Sequence, residues 1–240
     1  MTHFQIDKGL NSLRKNRNAL VLFAKAPVAG EVKTRLQPEI TPENSARLQE
    51  AMIKDSISLI SEINNVEKII YFLPGEKKYI FEKFTDGLPF HLNCQNGVDL
   101  GKKMENAFQD LFNKGFFRVV VIGVDSPTLP KEYITKAFIE LDKSDLVIGP
   151  SEDGGYYLIG LKEKVLPVFS PVEWGSNRVL SQTEELVKKN NLKLSILPVH
   201  YDIDTIEDLR HLKTHLKLLS PSGENVPSNT MNIVDDILSP

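Results

Sequence analysis

Carboxylates in this sequence stand where strands should end, which is where α/β proteins do chemistry. Residues Arg118 to Pro130 read R-V-V-V-I-G-V-D-S-P-T-L-P. Val119 to Ile122 form an unbroken β-branched run, the pattern of a strand covered on both faces, as in parallel sheets. Gly123 allows close approach to the backbone, and Asp125 then falls at the strand's C-terminal edge, where open α/β sheets bind ligands. Asp202 and Asp204, in H-Y-D-I-D-T, follow another strand-like run. A magnesium ion takes one or two protein carboxylates and completes its shell with water and substrate phosphate. Asp125 with Asp202 and Asp204 is therefore a candidate site for Mg2+ or Mn2+. For Asp202 and Asp204 the competing reading is helix capping with dipole complementarity.

The loop after the first buried strand supplies Lys25, Lys33, Thr34 and Arg35. Arginine engages two phosphate oxygens at once, and lysine acts as a point charge. Placed there, the group suits nucleotide or phosphate binding; elsewhere it would read as a solvated charge run. The stretch S-E-D-G-G-Y-Y puts Asp153 beside Gly154, Gly155 and Tyr156. Asp153 suits a general base, Asp125 and Asp153 together make the catalytic pair, and the glycines permit close approach to an acceptor. The same residues also suit a tight turn between strands. Trp174, the only tryptophan, lies in V-E-W-G-S-N and could offer its face to an acceptor or pack in the core.

Several chemistries lose support. The basic loop is neither a dinucleotide-binding glycine fingerprint nor a P-loop. No Cys/His cluster of zinc spacing occurs, and G-x-S-x-G is absent.

The elements that must position these residues alternate. Ala19–Ala24, Val66–Leu73, F-H-L-N-C, Val119–Ile122, Asp145–Gly149, the run after Asp153, and Lys193–Val199 read as strands. Between them lie helical stripes: Ile53, Ile57 and Ile60; Met104, Ala107, Phe108 and Leu111; Ile134, Ala137 and Phe138. Thr41-Pro42 and Asp99 read as helix starts, and Thr205 with Asp208 as a capping box. Such alternation predicts an α/β fold: one Rossmann-like domain with a mostly parallel sheet and helices on both faces. Residues 1–18 read as an N-terminal extension, 19–219 as the domain and 220–240 as a C-terminal tail. In the tail, Ile233, Val234, Ile237 and Leu238 can dock locally.

The 240 residues, 41% hydrophobic and 25% charged, are ordinary for a globular protein and suffice for one sizeable core. A net charge of −3 argues against nucleic acid as a partner. The lone Cys94 forms no internal disulfide and reads as a small buried residue. No apolar run is long enough for a membrane span, and the start lacks a signal-peptide core, so a cytoplasmic protein is expected. The composition allows a homo-oligomer without requiring one.

F-A-K-A-P-V-A-G-E-V-K-T-R-L, G-V-D-S-P-T-L-P, S-E-D-G-G-Y-Y-L-I-G-L, V-E-W-G-S-N-R-V-L and D-I-D-T-I-E-D-L, in this order, resemble a bacterial group of glycosyltransferases. That group is linked to arsenosugar biosynthesis and to radical-SAM/selenium-associated transferases. The resemblance spans residues 19–218 and implies the GT-A, nucleotide-diphospho-sugar transferase fold, a divalent metal and a nucleotide-linked donor. It matches Lys25, Lys33 and Arg35 to a basic loop, Asp125 to a central metal-binding acid, and Asp202 and Asp204 to a D-x-D-T motif. Family members often carry Cys at Ser126 and W-S-T where this chain has Trp174-Gly175-Ser176. The expected activity is transfer of a sugar from a nucleoside-diphospho-sugar to a small acceptor. The alternatives are nucleotidyl transfer from a nucleoside triphosphate to a phosphorylated small molecule, as in more distant relatives, and a non-catalytic nucleotide-binding module.

Overall fold

The computed structural model describes residues 17–222 and 226–239. The strands are β1 (Asn18–Lys25), β2 (Glu67–Leu73), β3 (Phe90–Cys94), β4 (Arg118–Ile122), β5 (Leu146–Pro150), β6 (Tyr156–Lys162) and β7 (Leu194–Ile196). The helices are α1 (Pro42–Ser61), α2 (Lys78–Phe84), α3 (Leu100–Asn113), α4 (Lys131–Glu140), α5 (Val179–Lys189), α6 (Ile206–Ser222) and α7 (Ser228–Ile237). The expected N-terminal extension lies almost wholly outside the described residues.

All seven strands form one sheet in the order β3-β2-β1-β4-β6-β5-β7. Every pairing is parallel except those of β6, which runs antiparallel between β4 and β5. After β1 the chain moves outward to β2 and β3, then returns to the other side of β1 as β4. The switch point therefore lies between β1 and β4, and the loops carrying the basic cluster and Asp125 open there.

Alternation within the strands explains the two-sided burial. Leu20, Leu22, Val120 and Ile122 face α1 and α4 through Ile53, Ile57 and Ile134. Ala19, Val21, Val119 and Val121 face α3 through Met104, Phe108 and Leu111. Each fully buried Val or Ile of β4 contributes about 1.5–3 kcal/mol. Thr41 caps α1, its hydroxyl accepting from the Asn44 amide at 3.2 Å. Asp99 caps α3 by accepting from the Lys102 amide at 2.7 Å. Each such cap is worth about 1 kcal/mol.

A third cluster joins Leu48 and Met52 of α1 to Leu209, Leu212 and Leu216 of α6 and Val234 of α7. Helix α6 continues past residue 219, and α7 docks against α1, where Asp55 accepts from the amides of Asn229 and Thr230. Ile233, Ile237 and Leu238 pack on this cluster as their spacing suggested. Two expectations need correction. Cys94 is exposed rather than buried, because it ends the edge strand β3. The last strand is shorter than Lys193–Val199: it ends at Ile196, and the Leu197 amide makes the final bond to β5, donating to the Ile148 carbonyl at 2.9 Å. Among the described residues, no helix is long and apolar enough to cross a membrane.

Candidate active site

A cavity of about 550 Å3 opens at the C-terminal ends of β1 and β4, within the size range of small-molecule sites. Asp125, Asp153, Asp202 and Asp204 reach its wall, as do Lys25 and Arg35. Gly155, Tyr156 and Trp174 line it as well. Lys33, Thr34 and Gly154 are not on the wall, each for a separate reason.

Lys33 is a buried strut. Its backbone is left-handed (φ 48°), and its side chain runs inward beneath the acidic cluster. Its ammonium pairs with Asp125, donates to the Ile203 carbonyl and lies 3.9 Å from Asp204. The Ile203 amide donates to the Asp125 carbonyl at 2.9 Å, so the backbone of Ile203 in the D-I-D segment is held at both its amide and its carbonyl. Ile203 itself is fully buried and anchors the segment in the third cluster. Thr34 opens a short 3-10 turn and points outward. Gly154 lies behind the turn at φ +88°, where a Cβ would fall 2.2 Å from the Asn177 carbonyl oxygen.

Arg35 reaches Asp204 at 3.0 Å from the solvent side. Lys25 lines the cavity and donates to the Glu31 carbonyl at 2.6 Å. Asp153 accepts from the Gly155 amide at 2.9 Å and from Ser151 Oγ at 2.5 Å, both on Oδ1. Asp153 thus holds a tight turn and also lies on the cavity wall. Trp174 is part-buried, donates to the Phe169 carbonyl at 3.3 Å and meets Tyr156 edge-on at 6.0 Å. Burial pushes the Tyr156 phenol well above its usual range, so it stays neutral.

Neither Asp202 nor Asp204 caps α6. That work falls to Thr205 and Asp208: the Thr205 amide donates to Asp208 at 2.8 Å, and the Asp208 amide to Thr205 Oγ1 at 3.3 Å. Freed from capping, the two aspartates face the cleft. Burial, together with repulsion from Asp125 and Asp153, raises Asp202 to about 6 even though Ser126 donates to it. Burial likewise raises Asp204, against the pull of Lys33.

Among the described residues, no three His, Cys, Asp or Glu side chains are arranged as a metal-ligand set. A magnesium site does not require one, since phosphate and water fill most of its shell. The donors present are hard carboxylate oxygens, and Asp125 keeps 46% of its side chain exposed toward the cleft. Their mutual repulsion is the kind a divalent cation relieves. Asp125 and Asp204 fit such an ion.

Sequence reasoning missed Ser126 as the partner of Asp202, and it missed Gln49 and Gln95 on the cleft wall. For Gln49 a signal existed, because it falls on the buried face of α1 between Leu48 and Met52.

Residues 58–176 match a family described as uncharacterized proteins conserved in bacteria, DUF2064. A solved structure from Desulfovibrio desulfuricans G20 is 30% identical, with a TM-score of 0.82 over 92% of this chain and 97% of that one. The chain belongs to the DUF2064 family. The Desulfovibrio protein is itself described, provisionally, as a nucleotide-diphospho-sugar transferase, which supports the superfamily named above. A 2-phospho-L-lactate guanylyltransferase of Methanocaldococcus jannaschii is 29% identical to this DUF2064 chain over 206 residues, covering 81% of this chain and 82% of its own. The 4-diphosphocytidyl-2C-methyl-D-erythritol synthase of Anaerococcus prevotii shares the fold, with a TM-score of 0.58 at 10% identity over 85% of this chain and 99% of that one.

These relatives overturn the glycosyl-transfer expectation. The curated proteins that resemble the chain over most of its length are named for moving a guanylyl group, not a sugar, and none for arsenosugar chemistry. Carboxylates beside cations would serve either transfer, so the motifs alone do not separate the two.

Proposed function

We propose that this protein is a nucleotidyltransferase. It joins the nucleoside monophosphate of a nucleoside triphosphate to a phosphate oxygen of a small phosphorylated acceptor and releases pyrophosphate. The observation that carries the reading is the 29% identity over 206 residues to a 2-phospho-L-lactate guanylyltransferase. A cleft in which carboxylates and cations meet at the switch point supports it.

In the reaction, an acceptor phosphate oxygen attacks the α-phosphorus. The new P–O bond forms as the bond to the oxygen bridging to the β-phosphorus breaks, and that electron pair leaves on pyrophosphate. Arg35, Lys25 and Lys103 are cations on the wall, and fixed charges of this kind usually make the largest catalytic contribution. Asp125 and Asp204 would hold a divalent cation, which when bound neutralises the triphosphate. Lys33 keeps Asp125 and Asp204 together from beneath. The acceptor's phosphate is already largely ionised at neutral pH, its second pKa being about 6. No strong base is required, and Asp153 serves to shape the turn through its bonds to Ser151 and Gly155.

The test is a screen for pyrophosphate release with each common nucleoside triphosphate, magnesium and a panel of phosphorylated small acids that begins with 2-phospho-L-lactate. Release that requires both substrates is expected. No release with any pair would contradict the proposal.

A further inference from the structure

Two glutamines on the cleft wall remain unaccounted for by the transfer step. Gln95 follows β3 directly and is 9% exposed; Gln49, on α1, is 4% exposed. Gln95 Nε2 donates to the Tyr71 carbonyl at 2.9 Å and to the Ala24 carbonyl at 3.3 Å, so both amide hydrogens are spent on the ends of β2 and β1. The Gln95 backbone amide is pinned as well, donating to the Phe72 carbonyl at 2.9 Å. This settles the orientation of the side-chain amide, since reversing it would press its oxygen against two carbonyl oxygens. Oε1 is the group left over, and among the described residues no donor reaches it. Gln49 is built alike: Nε2 donates to the Lys25 carbonyl at 3.2 Å, and its oxygen also lacks a protein donor among the described residues.

A rigid, nearly buried acceptor on the wall of a ligand cavity calls for a donor on the ligand. We infer that Gln95, assisted by Gln49, reads the nucleobase of the donor and selects guanine. This rests on the nucleotidyl-transfer reading and adds the base and the residue that recognises it. Guanine alone among the common bases carries two adjacent donors, N1–H and the 2-amino group, on its pairing edge. Adenine and cytosine set one amino group beside a ring-nitrogen acceptor, and uracil sets one N–H between two carbonyls. A glutamine oxygen with two lone pairs satisfies the guanine pair and meets an unwanted acceptor in each of the others. Phe23 and Leu73 on the same wall offer the apolar surface a base face needs, and Lys25, where β1 ends, lines the same cavity with a charge suited to phosphate.

Inosine triphosphate, which lacks only the 2-amino group, isolates the contact. Calorimetry in magnesium should show GTP binding about 10-fold or more tighter than inosine triphosphate, and tighter still than ATP, CTP or UTP. In Gln95→Leu the GTP-to-inosine ratio should fall to near one, with tripolyphosphate binding serving as the control for an intact cleft. If Gln95→Leu loses tripolyphosphate too, the same ratio measured on Gln49→Leu decides: a fall supports the inference and an unchanged ratio overturns it. Wild-type protein that binds all triphosphates equally, or a Gln95→Leu variant that keeps the ratio, would overturn base reading and leave nucleotidyl transfer standing. Wild-type protein that binds no triphosphate would overturn both.

Discussion

The ammonium of Lys33 lies against the carboxylate of Asp125 with only 4% of the lysine side chain exposed. A lysine so buried is tolerated because Asp125, the Ile203 carbonyl and Asp204 surround it. Lys33→Met would leave those carboxylates repelling one another with no internal counter-charge. Breaking a buried pair costs about 3–5 kcal/mol; with Asp125 half exposed, we expect about 2–3 kcal/mol from urea unfolding. Unchanged stability would show that the pair is only superficial.

Asp125→Asn keeps the shape of the side chain and removes its charge. Activity should fall by about 10²- to 10³-fold, the usual effect of deleting one electrostatic contributor. Magnesium-dependent stabilisation by nucleotide, read as a thermal shift, should fall with it. A variant as active as wild type would remove Asp125 from the site.

Gly154→Ala sets a Cβ against the Asn177 carbonyl at a left-handed backbone position. Strain of this kind costs roughly 1–3 kcal/mol. The Leu180 amide donates to the Gly154 carbonyl at 2.9 Å, so the start of α5 should shift together with Asp153. Both the melting temperature and the turnover rate are expected to drop; an unaffected melting temperature would count against the strain.

Asp110 on α3 accepts from Tyr71 of β2 at 2.5 Å and from Lys114 at 2.8 Å. Burial pushes its carboxyl up, but the bonds from Lys114 and Tyr71 outweigh that and hold it below the usual value. The folded protein therefore keeps Asp110 ionised where the unfolded chain binds a proton. Its contribution is present above the ordinary carboxylate pKa and is lost as pH falls through the lower folded value. Asp110→Asn should show a smaller loss of stability between about pH 5 and pH 3 than wild type. An equal loss in both proteins would show that Asp110 does not titrate this way.

The scaffold was legible because its signals are local. The β-branched run of β4, the Thr41-Pro42 start and the Thr205–Asp208 box each announce an element through a few neighbouring residues. The reversed direction of β6 was not, since Y-Y-L-I-G-L is apolar on both faces and carries no sign of polarity. The convergence of Asp125, Asp202 and Asp204 could be read because strand ends gather at one edge of an α/β sheet. The burial of Lys33 was hidden, because a lysine in a charged loop looks solvated until Asp125, the Ile203 carbonyl and Asp204, distant in sequence, are seen around it. Gln95 was hidden for the same reason: its partners, Ala24 and Tyr71, belong to other strands. The transferred group was illegible because a bound diphosphate makes the same demand on the cleft whether a sugar or a nucleotidyl group moves.

The central claim is that the α-phosphorus moves, at the site built around Asp125. It is tested most directly by following label from α- and γ-labelled GTP in the presence of magnesium and a phosphorylated acceptor. Label from the α-position should appear in the acceptor product and γ-label in pyrophosphate, and both should nearly vanish in Asp125→Asn. Label passing to the acceptor from the γ-position, or α-transfer undiminished in Asp125→Asn, would contradict the account.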